Sequence, residues 1–277
     1  MQRFIENHNH KVYDILVVGG GITGASVAYE AASQGFSVAL VEKRDFSSAT
    51  SAATSKLIHG GLRYLANFEF SLVRESLKER RVMLNIAPNL VYPAPFMIPL
   101  YNTFARSKWI LEPGMIIYDL LSYDKGFTWD KTKKITTHRF LSKEKVQELE
   151  PLVNPDGLTG GILFYDCASI FPERLTLAFI KSAVKFGAEV SNYARVEGFL
   201  HESEGVGGVM VRDLLNDKTL EIHAKVTINC GGPWADLLLD VARGKSGPQQ
   251  IRRSEGIHII TKSLTNHFCV GGQTTNG

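Results

Sequence analysis

The sequence predicts an α/β protein that combines parallel and antiparallel sheet, and three observations lead to this prediction. Residues 15–41 contain two short, apolar, β-branched runs joined by helix-forming residues, the pattern of a buried strand–helix–strand unit. Residues 69–86 place apolar side chains on one face, as in an amphipathic helix. Between residues 187 and 230, alternating segments are separated by polar turns, which predicts an antiparallel meander.

The strand–helix–strand unit carries a glycine fingerprint. Gly19, Gly21 and Gly24 fit G-x-G-x-x-G between the first strand and a helix predicted over Ile22–Ser33, and Glu42 ends the second strand. The glycines permit a tight turn, close approach to a pyrophosphate and close helix–strand packing, while the acid can bind a ribose diol. The helix N-terminus favours phosphate. We therefore predict dinucleotide binding; an ordinary unit with chance glycines is the alternative.

The fingerprint alone does not distinguish NAD from FAD, because both cofactors contain an ADP half. An NAD enzyme normally continues with further alternating strands and helices. Here a stretch rich in Ser and Thr follows instead, over residues 44–65. Its hydroxyl and backbone N–H groups could line a second, extended cofactor surface. This favours FAD.

Composition excludes several classes of protein. The chain has 277 residues, enough for one large or two ordinary domains, and 44% are hydrophobic, which argues against disorder. A net charge of +3 without a long basic run argues against a nucleic-acid partner. Cys167, Cys230 and Cys269 form no C-x-x-C pair, as in a reduced cytoplasmic protein without a zinc site. We find no signal-peptide pattern and no run of about 18 apolar residues.

Three motifs carry a resemblance to a known family. DILVVGGGITGA, TSKLIHGGLRYL and INCGGPWAD resemble the FAD-dependent, quinone-linked glycerol-3-phosphate dehydrogenases and the related glycerol-phosphate oxidases, which are amino-acid-oxidase-like flavoproteins. The similarity covers about residues 13–262. The second motif is specific to this family, whereas the glycine fingerprint is specific only to the superfamily. The resemblance implies a Rossmann-like FAD-binding domain with a mixed/antiparallel-sheet substrate (cap) domain.

The resemblance also implies which residues bind the cofactor. The fingerprint and Glu42 would hold the ADP half, the Ser/Thr-rich stretch would follow the pyrophosphate and flavin, and the turn after it would lie beside the isoalloxazine. The full predicted set is Gly19, Gly20, Gly21, Ile22, Thr23, Gly24, Glu42, Lys43, Thr50, Ser51, Thr54, Ser55, Lys56, Leu57, His59, Gly60, Gly61, Val196, Gly231 and Gly232.

A second implied set concerns the substrate. Arg63 would be a catalytic residue that clamps the substrate phosphate, with Tyr64 beside it, and His258 would lie near flavin and substrate on a strand predicted over 256–260. Oxidation of sn-glycerol 3-phosphate to dihydroxyacetone phosphate removes a hydride from C2 and a proton from its hydroxyl, for which a histidine is a suitable base. A guanidinium suits a phosphate dianion. The alternatives are structural histidines at His59 and His258 and a salt-bridge role for Arg63.

The resemblance implies a quinone as electron acceptor and peripheral contact with the inner face of the cytoplasmic membrane. A homodimer is a further hypothesis about partners. Two alternative functions remain: a related FAD oxidoreductase acting on another small amine or hydroxy acid, and a non-catalytic FAD-binding fragment.

We predict four segments: 1–88 and 151–243 as the two parts of the FAD-binding domain, 89–150 as substrate/cap segment, and 244–277 as the truncated start of further substrate-domain strands. Three prolines in residues 91–101 predict an edge or irregular strand. The apolar residues that follow surround a Pro113–Gly114 break. They predict either a buried helix or a surface that docks on a membrane.

Two departures from the family pattern bear on these expectations. Phe171 and Pro172 occupy a place where the family tends to have an acidic pair, which concerns the identity of the substrate. Pro172 is also predicted to open a helix that ends at Gly187.

The second departure is at the end of the sequence, where Asn276–Gly277 is a hairpin-turn signal without a returning strand. Because family members are roughly twice as long and supply further phosphate-binding arginines, we expect a fragment.

Overall fold

The computed structural model describes residues 1–8, 10–103, 107–203, 205–254 and 256–271. These form two compact units. The first unit comprises Met1–Thr54 and Phe171–Ile257, and the second comprises Ser55–Ile170 and the chain from His258 onward. The boundaries between these units fall after residues 54, 170 and 257, whereas the predicted segments end at residues 88, 150 and 243. The assignment of cofactor and substrate roles to those segments stays a prediction, and the predicted turn at residues 276–277 lies outside the described residues.

In chain order, the strands and helices are β1 (Val12–Val18), α1 (Ile22–Ser33), β2 (Val38–Val41), β3 (Leu57–Ile58), α2 (Phe70–Ile86), β4 (Tyr92–Tyr101), α3 (Lys108–Leu121), β5 (Arg139–Ser142), α4 (Lys143–Leu149), β6 (Leu158–Ala168), α5 (Pro172–Lys185), β7 (Glu189–Ser191), β8 (Ala194–Glu202), β9 (Gly205–Asp213), β10 (Lys218–Asn229), α6 (Ala235–Arg243) and β11 (Cys269–Val270). Short 3₁₀ turns occur at Phe4–Asn7, Leu62–Asn67, Lys131–Lys133 and Gly232–Trp234.

The first unit contains a six-stranded sheet in the order β7-β2-β1-β10-β9-β8. Its first four strands are parallel, and β9 and β8 extend it as an antiparallel meander, as predicted. The strand order reverses at β1, which has β2 on one side and β10 on the other. In such sheets the carboxyl ends of the strands that flank the reversal open a crevice. Val18 is paired with Asn229 there, so the glycine-rich turns that follow β1 and β10 emerge side by side.

Both faces of this sheet are buried. Alternate strand residues such as Val17 and Leu40 pack against Ala28 of α1 and Ile180 of α5. Small alanines on α1 allow the helix to lie close to the strands. The opposite face forms a second core that includes Tyr13, Leu16, Ala39, Val209, Val211 and Ile222. The buried contacts fix α1, so its N-terminus is held at the crevice.

The second unit contains a sheet in the order β11-β4-β6-β3, with β5 also paired to β6. On one face, helices α2 and α3 contribute Leu77, Met115 and Tyr118 to a core with Ile162 and Phe164 of β6. The proline-rich strand β4 pairs along its length with β6. Its other edge pairs, within the described residues, with β11 at Phe96 and Met97. β4 is therefore not an edge strand, and the other predicted alternative, an irregular strand, is confirmed by a register shift between Leu100 and Tyr101.

Several elements were predicted correctly and two were not. Helices α1, α2 and α5 have the predicted positions. The predicted break at Pro113–Gly114 is wrong, because α3 runs through both residues. Pro113 lies in the second turn, where its missing donor costs one helical hydrogen bond, and burial of Met115 and Tyr118 keeps the next turns in place. The predicted strand at 256–260 is also wrong, because those residues belong to no strand.

Candidate functional site

A cleft of about 450 Å³ opens in the first unit at the crevice between β1 and β10. This volume lies within the range of about 300–1,000 Å³ that is typical of small-molecule sites. From the predicted cofactor set, the cleft brings together Gly19, Gly21, Ile22, Thr23, Glu42, Lys43, Thr50, Ser51, Thr54, Val196, Gly231 and Gly232. Within the described residues, no cluster of His, Cys, Asp or Glu could hold a metal ion.

Gly24 allows α1 to approach β1 closely. A β-carbon at this position would collide with the backbone oxygen of Gly19 and would lie 3.2 Å from Cγ1 of Val17. Any side chain would therefore push the helix away from the turn. This is the packing role that the fingerprint predicts for its third glycine.

The N-terminus of α1 faces the cleft. Gly21 precedes the helix in an extended conformation and offers no side-chain cap. The N–H groups of the first turn lack acceptors within the helix, and the helix dipole makes this end positive. Ser51 Oγ accepts one of these bonds, from Ile22 N–H at 2.9 Å. The Ser/Thr-rich loop is thereby tied to the end of the helix where a phosphate would bind.

Glu42 is oriented by two backbone hydrogen bonds. Its Oε2 accepts from Gly20 N–H at 2.7 Å, and its Oε1 accepts from Arg44 N–H at 2.8 Å. A carboxylate can accept about four hydrogen bonds. Each oxygen therefore keeps a lone pair for a ribose hydroxyl, and the orientation is set by the protein itself.

The sequence interpretation missed part of the cleft wall. Arg44, Arg195 and Trp234 line it together with Leu238 of α6. The ammonium of Lys43 lies 5.4 Å from the centre of the Trp234 ring, a cation–π contact. Trp234 lies two residues after Gly231–Gly232, and this position close to a strand end is a signal for the cleft. Arg195 carries no comparable signal in the sequence.

We expect Glu42→Ala to weaken FAD binding about tenfold to a hundredfold, because hydrogen bonds to a charged group contribute about 1.5–3 kcal/mol. Titration of the apoprotein with FAD, followed by quenching of flavin fluorescence, measures this. The matched control is Glu173→Ala, which removes an exposed carboxylate from α5. Equal affinities for the two variants would contradict the role of Glu42.

Apart from His258, the predicted flavin and substrate residues of the second unit lie in β3 or within a few residues of it. Lys56 O accepts from Ser169 N–H at 2.8 Å, and β3 pairs with the end of β6. Gly61 has a left-handed conformation and precedes the 3₁₀ turn that carries Arg63 and Tyr64. Both of these side chains are exposed. Arg63 forms no hydrogen bond or salt bridge with any residue that the structure describes, so the salt-bridge alternative finds no support there.

His258 also belongs to the second unit. It lies in the irregular segment 256–260, and its side chain is exposed. Ile257 and Ile259 beside it are 88% and 83% exposed. The alternation of isoleucines with His258 does not by itself make a strand, because within the described ranges no neighbouring strand pairs with this backbone.

Comparison with known proteins identifies the family. Residues 14–275 match the family described as FAD dependent oxidoreductase. The chain belongs to this family. FAD is accordingly its cofactor, and the prediction of a Rossmann-like FAD-binding fold is confirmed. The cleft fits the ADP half of this cofactor, since it combines a helix N-terminus for phosphate with an oriented carboxylate for ribose.

Relatives of this chain include glycerol-3-phosphate dehydrogenases. The chain is 38% identical over 269 residues to "Glycerol-3-phosphate dehydrogenase" of Synechocystis sp., which covers 94% of this chain and 47% of that protein. It is 36% identical over 258 residues to "Aerobic glycerol-3-phosphate dehydrogenase" of Bacillus subtilis, covering 93% and 45%.

A solved structure agrees with this family membership. The glycerol-3-phosphate dehydrogenase of Bacillus halodurans complexed with FAD superposes with a TM-score of 0.63 at 31% identity. The match covers 85% of this chain and 37% of that protein. The chain spans less than half the length of these three relatives.

Proposed function

We propose that the protein oxidises sn-glycerol 3-phosphate to dihydroxyacetone phosphate with FAD and passes the electrons to a quinone. The observation that carries this proposal is the similarity to relatives whose names share one substrate. They include the two dehydrogenases above and "Alpha-glycerophosphate oxidase" of Streptococcus pneumoniae, which is 36% identical over 264 residues and covers 94% of this chain and 42% of that protein.

In this proposal, the cleft of the first unit holds the ADP half of FAD. When bound, FAD supplies a hydride acceptor at flavin N5. The residues His59, Gly60 and Gly61 would help to hold the flavin, and Arg63 with Tyr64 would bind the substrate phosphate. The guanidinium of Arg63 is exposed and has no charged partner among the described residues, which supports this role, because a phosphate needs a charged partner that is not already neutralised.

His258 takes the proton from the C2 hydroxyl while the hydride leaves C2. The loss of both produces the C2 carbonyl of dihydroxyacetone phosphate, and the two electrons then pass to the quinone. Within the described residues, the His258 ring has no hydrogen-bond partner, so it is available as a base. Its exposed position supports contact with a substrate.

Anaerobic bleaching of the flavin absorption tests the substrate. We expect sn-glycerol 3-phosphate to bleach it, whereas an amino acid and a 2-hydroxy acid leave it oxidised. Bleaching by one of those compounds but not by glycerol 3-phosphate would contradict the proposal. It would support the alternative function, a related FAD oxidoreductase that acts on another small amine or hydroxy acid. Bound flavin that no substrate reduces would favour a non-catalytic cofactor-binding role. Quinone reduction measured against peroxide formation identifies the acceptor.

We expect His258→Asn to slow flavin reduction about 10²- to 10⁴-fold, the usual contribution of a general base. The flavin content should stay unchanged. Stopped-flow single-turnover reduction measures the rate. The control is His267→Asn, which replaces another exposed histidine of the second unit. Equal reduction rates for the two variants would remove the base role from His258.

Peripheral membrane contact is a further part of the proposal. No helix in the described part of the chain has both the length and the apolarity to cross a bilayer. Trp109 and Trp129 of the second unit are nevertheless 82% and 80% exposed, and Phe127 is 69% exposed. Exposed aromatic residues beside basic ones such as Lys131 suit the interface of an anionic membrane.

We expect Trp109→Ser/Trp129→Ser to reduce co-sedimentation with phosphatidylglycerol-containing vesicles at least about fivefold, since aromatic side chains anchor proteins at this interface. The control is Phe36→Ser/Phe186→Ser, which removes exposed aromatic residues from the first unit. Equal co-sedimentation of both double variants would contradict the contact. Light scattering of the same samples tests the homodimer hypothesis.

A further inference from the structure

A charged pair lies in the interior of the second unit. Arg80 of α2 and Asp166 of β6 are 1% and 4% exposed and form a salt bridge. Arg80 also donates from Nη1 to the backbone oxygen of Tyr165 at 3.2 Å. Replacing a buried ion pair with well-packed apolar residues is often neutral or stabilising. Stability alone therefore does not explain why these two charges are present.

Tyr118 of α3 completes the group. Its hydroxyl lies 2.9 Å from each oxygen of Asp166, and the side chain is buried. Burial and the neighbouring carboxylate raise the pKa of the Tyr118 hydroxyl far above its ordinary value, so it remains a hydrogen-bond donor. Arg80 and Tyr118 thus hold Asp166 from two different helices.

The same carboxylate binds the backbone of the predicted flavin-side turn. Gly60 N–H donates to Oδ1 of Asp166 at 3.2 Å in a buried position. A β-carbon at Gly60 would collide with the side chain of Leu77 and with the Tyr118 hydroxyl. The turn therefore lies directly against the Arg80–Tyr118–Asp166 group, and a glycine is required there.

The next backbone group orients His59. Gly61 N–H donates to Nδ1 of His59 at 3.0 Å. Nδ1 is therefore an acceptor, and in the neutral ring the proton is on Nε2. The preceding residues are held by the pairing of β3 with β6, so the bond from Gly60 to Asp166 fixes the turn at the point where that pairing ends.

We propose that Asp166 is a positioning residue for the proposed oxidation. Through Gly60 it fixes the turn at residues 59–61, and with it His59 and the start of the 3₁₀ turn that carries Arg63. Arg80 and Tyr118 keep the carboxylate in the orientation that this requires. The inference rests on the proposed function, in which the turn lies beside the flavin and Arg63 binds the substrate phosphate.

Two matched variants separate positioning from a purely structural ion pair. Loss of Asp166 alone would leave the Arg80 charge buried and unpaired, so both variants carry Arg80→Met. Arg80→Met/Asp166→Asn keeps the side-chain oxygen of residue 166 as an acceptor for Gly60 N–H, whereas Arg80→Met/Asp166→Leu removes that acceptor and leaves only the Tyr118 hydroxyl beside this N–H. Both variants lack the charges, and they differ in the bond to the turn.

Amide hydrogen exchange at Gly60, measured without substrate, reads the position of the turn directly. We expect exchange at least about tenfold faster in the Leu variant than in the Asn variant. In the flavin-loaded protein, kcat should fall about a hundredfold in the Leu variant relative to the Asn variant. Flavin content should be the same in both. Equal exchange at Gly60, or equal kcat, would overturn the inference.

A backbone substitution covers the case in which the Leu variant does not fold. Replacing Gly60 with glycolic acid removes its N–H and leaves Arg80, Tyr118 and Asp166 unchanged. The same loss of kcat is expected, and an unchanged kcat would overturn the inference. Failure of the proposed function would show separately, as absence of flavin bleaching by glycerol 3-phosphate in the unaltered protein, while Gly60 exchange still reports on positioning.

Discussion

Gly24→Ala is expected to yield protein without bound FAD. The added methyl group would meet the backbone oxygen of Gly19 at less than van der Waals distance. Because a carbonyl in a tight turn cannot move as a side-chain end can, α1 must shift away from β1. Overpacking of this kind costs about 1–3 kcal/mol and can cost more. The shift also displaces the first-turn N–H groups from the phosphate site.

The control for this variant is Gly114→Ala. Gly114 also lies within a helix, α3, but apart from its chain neighbours and the backbone of its own helix, no described atom lies within 4 Å of the β-carbon that it would gain. Alanine is favoured over glycine in helices by about 0.5–1 kcal/mol, so this variant should be slightly more stable. Flavin absorption and the thermal midpoint measure both effects. Normal flavin content in Gly24→Ala would contradict the account of the fingerprint.

Arg63→Ala is expected to raise the apparent KM for glycerol 3-phosphate about tenfold to a hundredfold while the flavin stays bound. A charge-assisted, bidentate contact to phosphate is lost, and water replaces it incompletely. Arg63→Lys should recover part of the affinity, because lysine keeps the charge but not the planar pair of donors. Steady-state kinetics measures each variant.

Arg174→Ala is the control for Arg63, because Arg174 is an exposed arginine on α5. It should leave both KM and kcat unchanged. If Arg63→Ala matches this control, Arg63 does not bind the phosphate. If the flavin is also lost, the residue supports the cofactor rather than the substrate.

The parts of the fold that depend on local pattern were predictable from the sequence. The bounds of α1 follow from Gly21 before the helix and from the glycine after it, and they agree with the structure. Pro172 marks the start of α5 for a similar local reason. The cleft was predictable because its main residues lie in turns directly after two strands, where both the glycines and their spacing are visible.

Features that depend on distant residues were not predictable in this way. The continuity of α3 through Pro113 is maintained by burial of Met115 and Tyr118, which sequence periodicity alone does not reveal. The pairing of Arg80 with Asp166 joins residues far apart in the chain. The sequence therefore indicated only that Asp166 belongs to a strand. In the structure, Asp166 also contacts the turn that the motif TSKLIHGGLRYL predicts to be functional.

Single-turnover flavin reduction by glycerol 3-phosphate deuterated at C2 is the most direct test of the proposed oxidation. We expect glycerol 3-phosphate to bleach the flavin under anaerobic conditions. The deuterated substrate should do so several-fold more slowly, because the bond between C2 and its hydrogen breaks in that step. Bleaching without an isotope effect would contradict rate-limiting hydride removal from C2, and absence of bleaching in flavin-loaded protein would contradict the substrate itself.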